Sequence, residues 1–351
     1  MRERIRVLLA IVMLLVFTAC SAGEDKEADS TRKSKVLEAT VEDGAFILSS
    51  TNDEFDPEGD TGTIKLNVAV KNITDRSMNL FPEKDMQLFD GDEQIDAVSI
   101  FDASIELDVP SNTSIGANKK KTFSVLFEVE RNKEYELHIE PLLMSGEGVE
   151  SVTFPVDMSE FDDTYEVLQE PVDVLTAYLD TIYFDEKDEK LEEMMQVDVE
   201  KQLKEAEKEF TQFLDDATFK DISDKQTAKL YETYVETLKD KGEYHIQLKG
   251  NSGEHAVVEL QYKGISAVDV GDEFSNVRKD YLEKSANYDR KKADEYAISQ
   301  LDKIIRDTDS TEGRDNLEIR MVKKDEKWTF ESGYSDAAKE LNRIFAGGRI
   351  Y

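Results

Sequence analysis

The sequence predicts two folded units in series, an all-β sandwich and then an α+β domain whose helices pack on a small antiparallel sheet. Three observations carry that prediction. Between Val36 and Pro155 the apolar residues recur at period two, as in half-buried strands. Beyond Pro171 the period lengthens to that of amphipathic helices, with short alternating segments between them. The first 20 residues stand apart from both, as a basic start, an apolar run and a cysteine.

That start reads as an export signal over residues 1–19. Arg2, Arg4 and Arg6 precede an apolar run from Val7 to Phe17, and small residues follow it. The run is too short to span a bilayer as a helix, which takes roughly 20 apolar residues. Cys20 is the single cysteine of the chain. Phe17-Thr18-Ala19-Cys20 resembles the lipobox of bacterial lipoproteins, with Phe17 where leucine is usual. The resemblance implies that Cys20 is acylated and becomes the first residue of the mature protein, held at the cell membrane on its extracytoplasmic side. From Cys20 to Val36 the chain is rich in Ser, Ala, Glu, Asp and Lys, which predicts a disordered tether.

Composition narrows the partners. With one cysteine no intramolecular disulfide forms, so packed cores must supply stability. The formal charge is −34 over 351 residues, from 78 acidic and 44 basic side chains. Such a chain is repelled by nucleic acid and by anionic headgroups, so its membrane contact is assigned to the lipid anchor. The partner is read as an envelope protein or a small ligand, and no cofactor is expected.

Residues 37–156 form the first unit. Ile64, Leu66, Val68 and Val70 share one strand face, and Phe123, Val125, Phe127 and Val129 repeat the pattern. Asp90-Gly91 marks a hairpin between Leu88-Phe89 and Gln94-Ile95, because glycine accepts the positive φ of such turns. Val68-Ala69-Val70-Lys71-Asn72, Leu88-Phe89-Asp90-Gly91, Ile115 to Thr122 and Phe127-Glu128-Val129 together resemble the telokin-like, immunoglobulin-type domain of Gram-positive surface lipoproteins. The resemblance covers about Ala39 to Phe154 and implies an immunoglobulin-like sandwich with no shared catalytic residues.

Residues 157–170 read as an acidic linker. In the second unit, 171–348, Pro171 opens a helix carrying Val172, Leu175, Leu179, Ile182 and Tyr183. A second helix spans about Glu189 to Leu214. A third starts at Ser223, whose spacing to Gln226 fits a capping box, and ends at Gly242. Strands around Tyr244–Leu248 and Val257–Tyr262 follow, then a long helical stretch over about Phe274 to Arg306. A hairpin joins Leu317–Met321 to Lys327–Phe330, and Ser335 is placed as the cap of a final helix. Asp325-Glu326-Lys327-Trp328 is similar to the terminal hairpin of a second Gram-positive lipoprotein domain family of unassigned function. The helix-then-sheet order is also similar, at fold level alone, to the cone-shaped nuclear-transport-factor-like superfamily.

No residue set names a reaction, so no catalytic and no metal-binding residue is assigned. Phosphate loops, Gly-x-Gly-x-x-Gly and Gly-x-Ser-x-Gly are missing from the sequence. Of the histidines, His138 and His245 sit in alternating strands and read as solvent-facing. His245 and His255 could instead meet across a hairpin and hold a metal or trade protons. The acidic loop Asp53–Asp60 suits calcium in its oxygen content but lacks glycine at residue 61, so it reads as solvated or, alternatively, as a cation loop. Tyr178, Phe184, Phe210, Phe213, Tyr231, Tyr234, Tyr262, Trp328 and Phe330 read as core, or as the lining of an apolar cavity. The function expected is a ligand- or protein-binding module without catalysis. The alternative is a cone-fold enzyme using a cavity histidine such as His245, or a carboxylate.

Overall fold

The computed structural model describes residues 31–50, 55–107, 113–143, 150–220, 222–285, 288–333 and 336–347. Cys20, the signal segment and most of the tether lie outside them. The tether's end does not: Thr31–Lys33 (β1) pairs antiparallel with Leu37–Ile47 (β2). Strand pairing needs backbone groups rather than apolar side chains. Here Thr31 meets Thr40 at 2.9 Å, and Lys33 meets Glu38 at 2.7 Å.

The N-terminal half is built of antiparallel strands. Further strands are Thr61–Asn72 (β3), Met78–Asn79 (β4), Met86–Asp90 (β5), Glu93–Asp96 (β6), Ser114–Ile115 (β7), Lys120–Glu130 (β8), Glu134–Ile139 (β9), Leu142–Leu143 (β10) and Val152–Asp157 (β11). One sheet runs β1-β2-β3-β8, another β11-β9-β5-β6, and a small ribbon β10-β4-β7 closes one end. The alternation seen in the sequence is what fills the core. Ile64, Leu66, Val68 and Val70 are fully buried, and Leu88, Leu137, Ile139 and Phe154 from the other sheet join the same cluster. Gly91 takes φ +58 in the β5–β6 turn, as the hairpin signal required.

The connection 157–170 is folded. A 3-10 turn (Met158–Phe161), a short helix (Asp162–Glu166) and a second 3-10 turn (Val167–Gln169) bury Met158, Tyr165 and Leu168. The three buried residues are spaced too widely to show a clear period in so acidic a stretch.

The C-terminal half opens with Glu170–Tyr183 (α3), counting Pro82–Asp85 as α1 and Asp162–Glu166 as α2. Helices Leu191–Met194 (α4), Val199–Thr218 (α5) and Asp224–Lys241 (α6) follow. Strands Glu243–Asn251 (β12) and His255–Ile265 (β13) come next, and then helices Ala267–Lys284 (α7), Arg290–Ser299 (α8) and Leu301–Asp307 (α9). The chain closes with Ser310–Glu312 (β14), Leu317–Lys324 (β15), Lys327–Phe330 (β16) and Ala337–Phe345 (α10). The sheet order is β12-β13-β15-β16, with β14 paired to β13.

Three local expectations are corrected. The helix expected over 189–214 is broken: Met195 forms a bridge to Trp328, and the Asp198 carboxylate then caps α5 by accepting from the Lys201 amide. The Ser223 hydroxyl bonds the Gln226 side chain rather than a backbone amide, so it is a side-chain pair and not a capping box. Asp336 is the cap of α10, accepting from Lys339 N, and Ser335, expected there, lies outside the described residues.

The two halves share apolar core. The main cluster runs without a break from Leu37 to Ala346. A second cluster joins Ile47, Ile105, Leu107 and Leu126 of the N-terminal half to Val257 of β13. Main-chain bonds bridge Leu48 and Asn251 in both directions, each at 2.8 Å. Asn251, 1% exposed, also donates its Nδ2 to Leu168 O at 2.9 Å.

Candidate functional site: an acid-rimmed groove

The aromatic residues weighed in the sequence divide by position. Tyr178, Tyr183, Phe210, Tyr234 and Trp328 are buried in contact with one another or with core neighbours. Phe213 and Tyr262 instead form the floor of a groove of about 740 Å³ on the C-terminal half.

Four elements build it. The end of α5 supplies Glu209, Phe213, Asp216 and Ala217, and the start of α7 supplies Val268, Gly271 and Asp272. Asp315 and Leu317 come from the turn into β15, and Glu340, Arg343 and Ile344 from α10. Gly271 lets α7 approach α5: a Cβ there would lie 3.2 Å from Ala217 O and 3.3 Å from Ala217 Cβ. Gly347, at φ +91, lies against the Phe213 ring, where any side chain would collide at 2.6 Å.

The charged lining is predominantly acidic. Glu209, Asp216, Asp272, Asp315 and Glu340 surround an apolar floor. Among the described lining residues the one cation is Arg343, and it is held by Glu340 at 2.9 Å. Burial first, then the carboxylates of Asp315 and Glu340, push the Tyr262 phenol above its ordinary range. The last turn of α5 carries Asp215 and Asp216 and no basic residue, the reverse of what the helix dipole favours. Helix α6, which ends away from the groove, has Lys239 and Lys241 there.

Phe219 stands at the mouth. It caps α5 in the left-handed region at φ +55, a strained state for a bulky residue, and its side chain is 86% exposed. A brace anchors the adjoining chain: Asp294 of α8 binds Lys220 at 2.6 Å and also Arg278 of α7. Burial raises the Asp294 carboxyl, but these two cations outweigh it and hold the group below its usual value.

The other candidates fall elsewhere. His245 is exposed on β12, opposite Gln261, so six residues of β13, roughly 20 Å, separate that position from His255. The two histidines therefore do not pair, and the His245 side chain is solvent-exposed. His138 is partly exposed, stacks on Phe89 at 4.3 Å and touches Glu136 at 3.4 Å. Of the acidic loop, Asp53 and Glu54 lie outside the described residues. Asp56 takes the Tyr165 hydroxyl on its carbonyl and the Glu58 amide on its carboxylate. Arg131 stacks 3.8 Å over Tyr165 and binds Gly59 O and Asp162, so a guanidinium already occupies the base of this loop. The groove itself was not foreseen. Its one sequence signal was a helix end rich in aspartate followed by an exposed aromatic.

Residues 161–346 match the family described as "Domain of unknown function (DUF5105)", and the chain belongs to that family. Over 332 residues it is 24% identical to the uncharacterized lipoprotein YcdA of Bacillus subtilis, covering 92% of each chain. A crystal structure of ycdA from the same organism matches the fold with a TM-score of 0.68 at 23% identity, covering 91% of this chain and 99% of that one. The architecture, strand-rich first and helix-rich after, is thus that of a solved fold. Among the described residues no helix is long and apolar enough to cross a membrane.

Proposed function

We propose that this chain is a lipid-anchored lipoprotein on the extracytoplasmic side of the cell membrane, and that its groove captures a cationic, amphipathic segment of an envelope protein. The carrying observation is the ring of five carboxylates around the Phe213–Tyr262–Ile344 floor, with Phe219 exposed at its mouth. A basic side chain would meet the rim, and an apolar one would meet the floor. Cys20 is the lipidated residue in this reading, supported by its place behind the signal-like run and by the lipoprotein name of the Bacillus relative. The N-terminal half, 37–156, serves as an immunoglobulin-type spacer that presents the α+β half, 171–348.

The role is binding rather than catalysis. The groove presents carboxylates and one engaged guanidinium beside apolar side chains, an arrangement that suits holding a cationic, apolar segment. The test is fluorescence anisotropy with the chain from Ser21 onward and two labelled peptides, one alternating lysine with leucine and one with glutamate replacing lysine. The lysine peptide should bind, and should weaken as salt rises. Phe219→Ala, or Asp272→Asn with Asp315→Asn, should weaken it by about fivefold or more. Equal binding of both peptides, or indifference to these substitutions, would overturn the reading.

A further inference from the structure

A second cluster lies on the seam between the halves, away from the groove. Glu106 comes from the 3-10 turn region Ala103–Ile105 of the N-terminal half, His255 opens β13, and Glu331 follows β16. One ligand atom from each of the three lies within 4.8 Å of the others. His255 Nε2 and Glu106 Oε2 are 3.3 Å apart. We infer that Glu106, His255 and Glu331 form a site for a borderline divalent cation of the zinc class, which would clip the two halves together.

The donor set sets the class. One imidazole and two carboxylates, with no thiol, suit zinc or a neighbouring first-row ion and exclude soft monovalent copper. Two ionised carboxylates and a neutral imidazole match the charge of a divalent cation. In a tetrahedron with bonds of about 2.0–2.1 Å, ligand atoms stand roughly 3.3–3.4 Å apart. The His255–Glu106 pair already has that spacing. No pair of ligand atoms stands more than 4.8 Å apart, so none has to close by more than about 1.5 Å.

The neighbouring cations are already engaged. On β15, Lys323 binds Glu170 at 2.9 Å and Arg320 binds Glu318 at 3.0 Å. The backbone behind the cluster is held firmly, as a metal site needs. Asp102 and Leu107 exchange both main-chain hydrogen bonds around the turn that bears Glu106. The Ser252 hydroxyl donates to Ile105 O at 2.9 Å, tying the hairpin turn before His255 to that same turn. Glu331 N donates to Arg320 O at 2.9 Å. Each ligand thus rides on a fixed strand end or turn, and a cation would join elements that are distant in sequence.

The proposal stands independently of the groove. Its test is calorimetric titration of the untagged, chelator-stripped full chain with zinc chloride, in a Cys20→Ser background so that no thiol competes. One equivalent should bind saturably, and saturating zinc should raise the thermal midpoint by about 5 °C or more. His255→Ala, E106Q and E331Q should each weaken binding at least tenfold, while His138→Ala and His245→Ala should not. The glutamine variants preserve shape, so the test survives if His255→Ala fails to fold. The proposal is overturned by an absence of saturable binding. It is also overturned if the three ligand variants bind as well as the parent, or if magnesium and calcium give the same response. Either of those last results would mark the ion as counterion to a chain of formal charge −34.

Discussion

Replacing Asn251 with alanine tests whether the two halves stand or fall together. Asn251 sits where three segments meet. Its backbone bridges Leu48 at the end of β2, its Nδ2 donates to Leu168 O at 2.9 Å, and its Oδ1 accepts from Gly253 N at 2.7 Å. The alanine variant keeps the backbone bridge and loses both side-chain bonds. Leu168 is 2% exposed, so its carbonyl loses a donor in a place that water does not readily fill, at about 1–3 kcal/mol. Gly253 lies in an exposed turn where water replaces the lost acceptor, which adds only about 0.5 kcal/mol. The expected loss is therefore about 1.5–3.5 kcal/mol, or roughly 2–6 °C in the thermal midpoint of a cooperative unit of about 300 residues. Trp328, the single tryptophan, is buried in the C-terminal half and reports on that half by fluorescence, while far-UV circular dichroism reports on both. Because the apolar core crosses the seam, the two signals should share one midpoint in the parent chain and move together in the variant. A loss below about 0.5 kcal/mol, or separate midpoints in the parent chain, would refute the reasoning.

Four further outcomes follow from the structure. Burial raises the Asp102 carboxyl, but bonds from Ser104 and Ser50 outweigh it and bring it down to about 2. A depressed acid adds stability above its ordinary value near 3.8 that is lost as pH falls through 2, so Asp102→Ala should cost about 1–2 kcal/mol at pH 6. In acid denaturation the gap between variant and parent should narrow from pH 4 to pH 2, and a constant gap would contradict this account. Asp216→Asn relieves an anion at the C-terminal end of α5 and should stabilise the chain by about 0.3–1 kcal/mol while weakening the lysine peptide; lower stability by urea titration would count against it. Phe219→Ala should leave the midpoint within about 0.5 kcal/mol, because the ring is exposed, yet lose peptide affinity. Cys20→Ala should block processing and lipid labelling, and intact mass would show whether acyl chains are present on the parent.

The strands were legible because their core-facing residues are apolar at every second position, even where the opposite face is also partly covered, as at Ala69 and Leu126. Ile64 to Val70 and Phe123 to Val129 are examples, as is the Asp90-Gly91 turn between β5 and β6. Helix α3 was legible from Pro171 and its stripe. Elsewhere a distant contact overrides the local pattern. Met195 leaves its helix to pair with Trp328, 133 residues away along the sequence numbering. Thr31–Lys33 becomes a strand because β2 offers an edge, although its own residues carry no apolar signal. The acidic interval 157–170 folds because Tyr165 and Leu168 find core partners on both sides.

The sequence alone determined the order of strand-rich and helix-rich halves, hairpin turns such as Asp90-Gly91, the acid excess, and the cysteine that follows a signal-like run. Those are properties of neighbours, set by periodicity, backbone preference and charge within a few residues. Tertiary structure decided the rest. The groove draws on α5, α7, α10 and the turn into β15, and the Glu106–His255–Glu331 cluster spans 225 positions of the numbering. In a chain with 78 acidic residues, no local pattern distinguishes the few carboxylates that converge from the many that face water. Only the packing of distant elements brings chosen ones within a few ångströms, because convergence is a property of the fold and not of any segment.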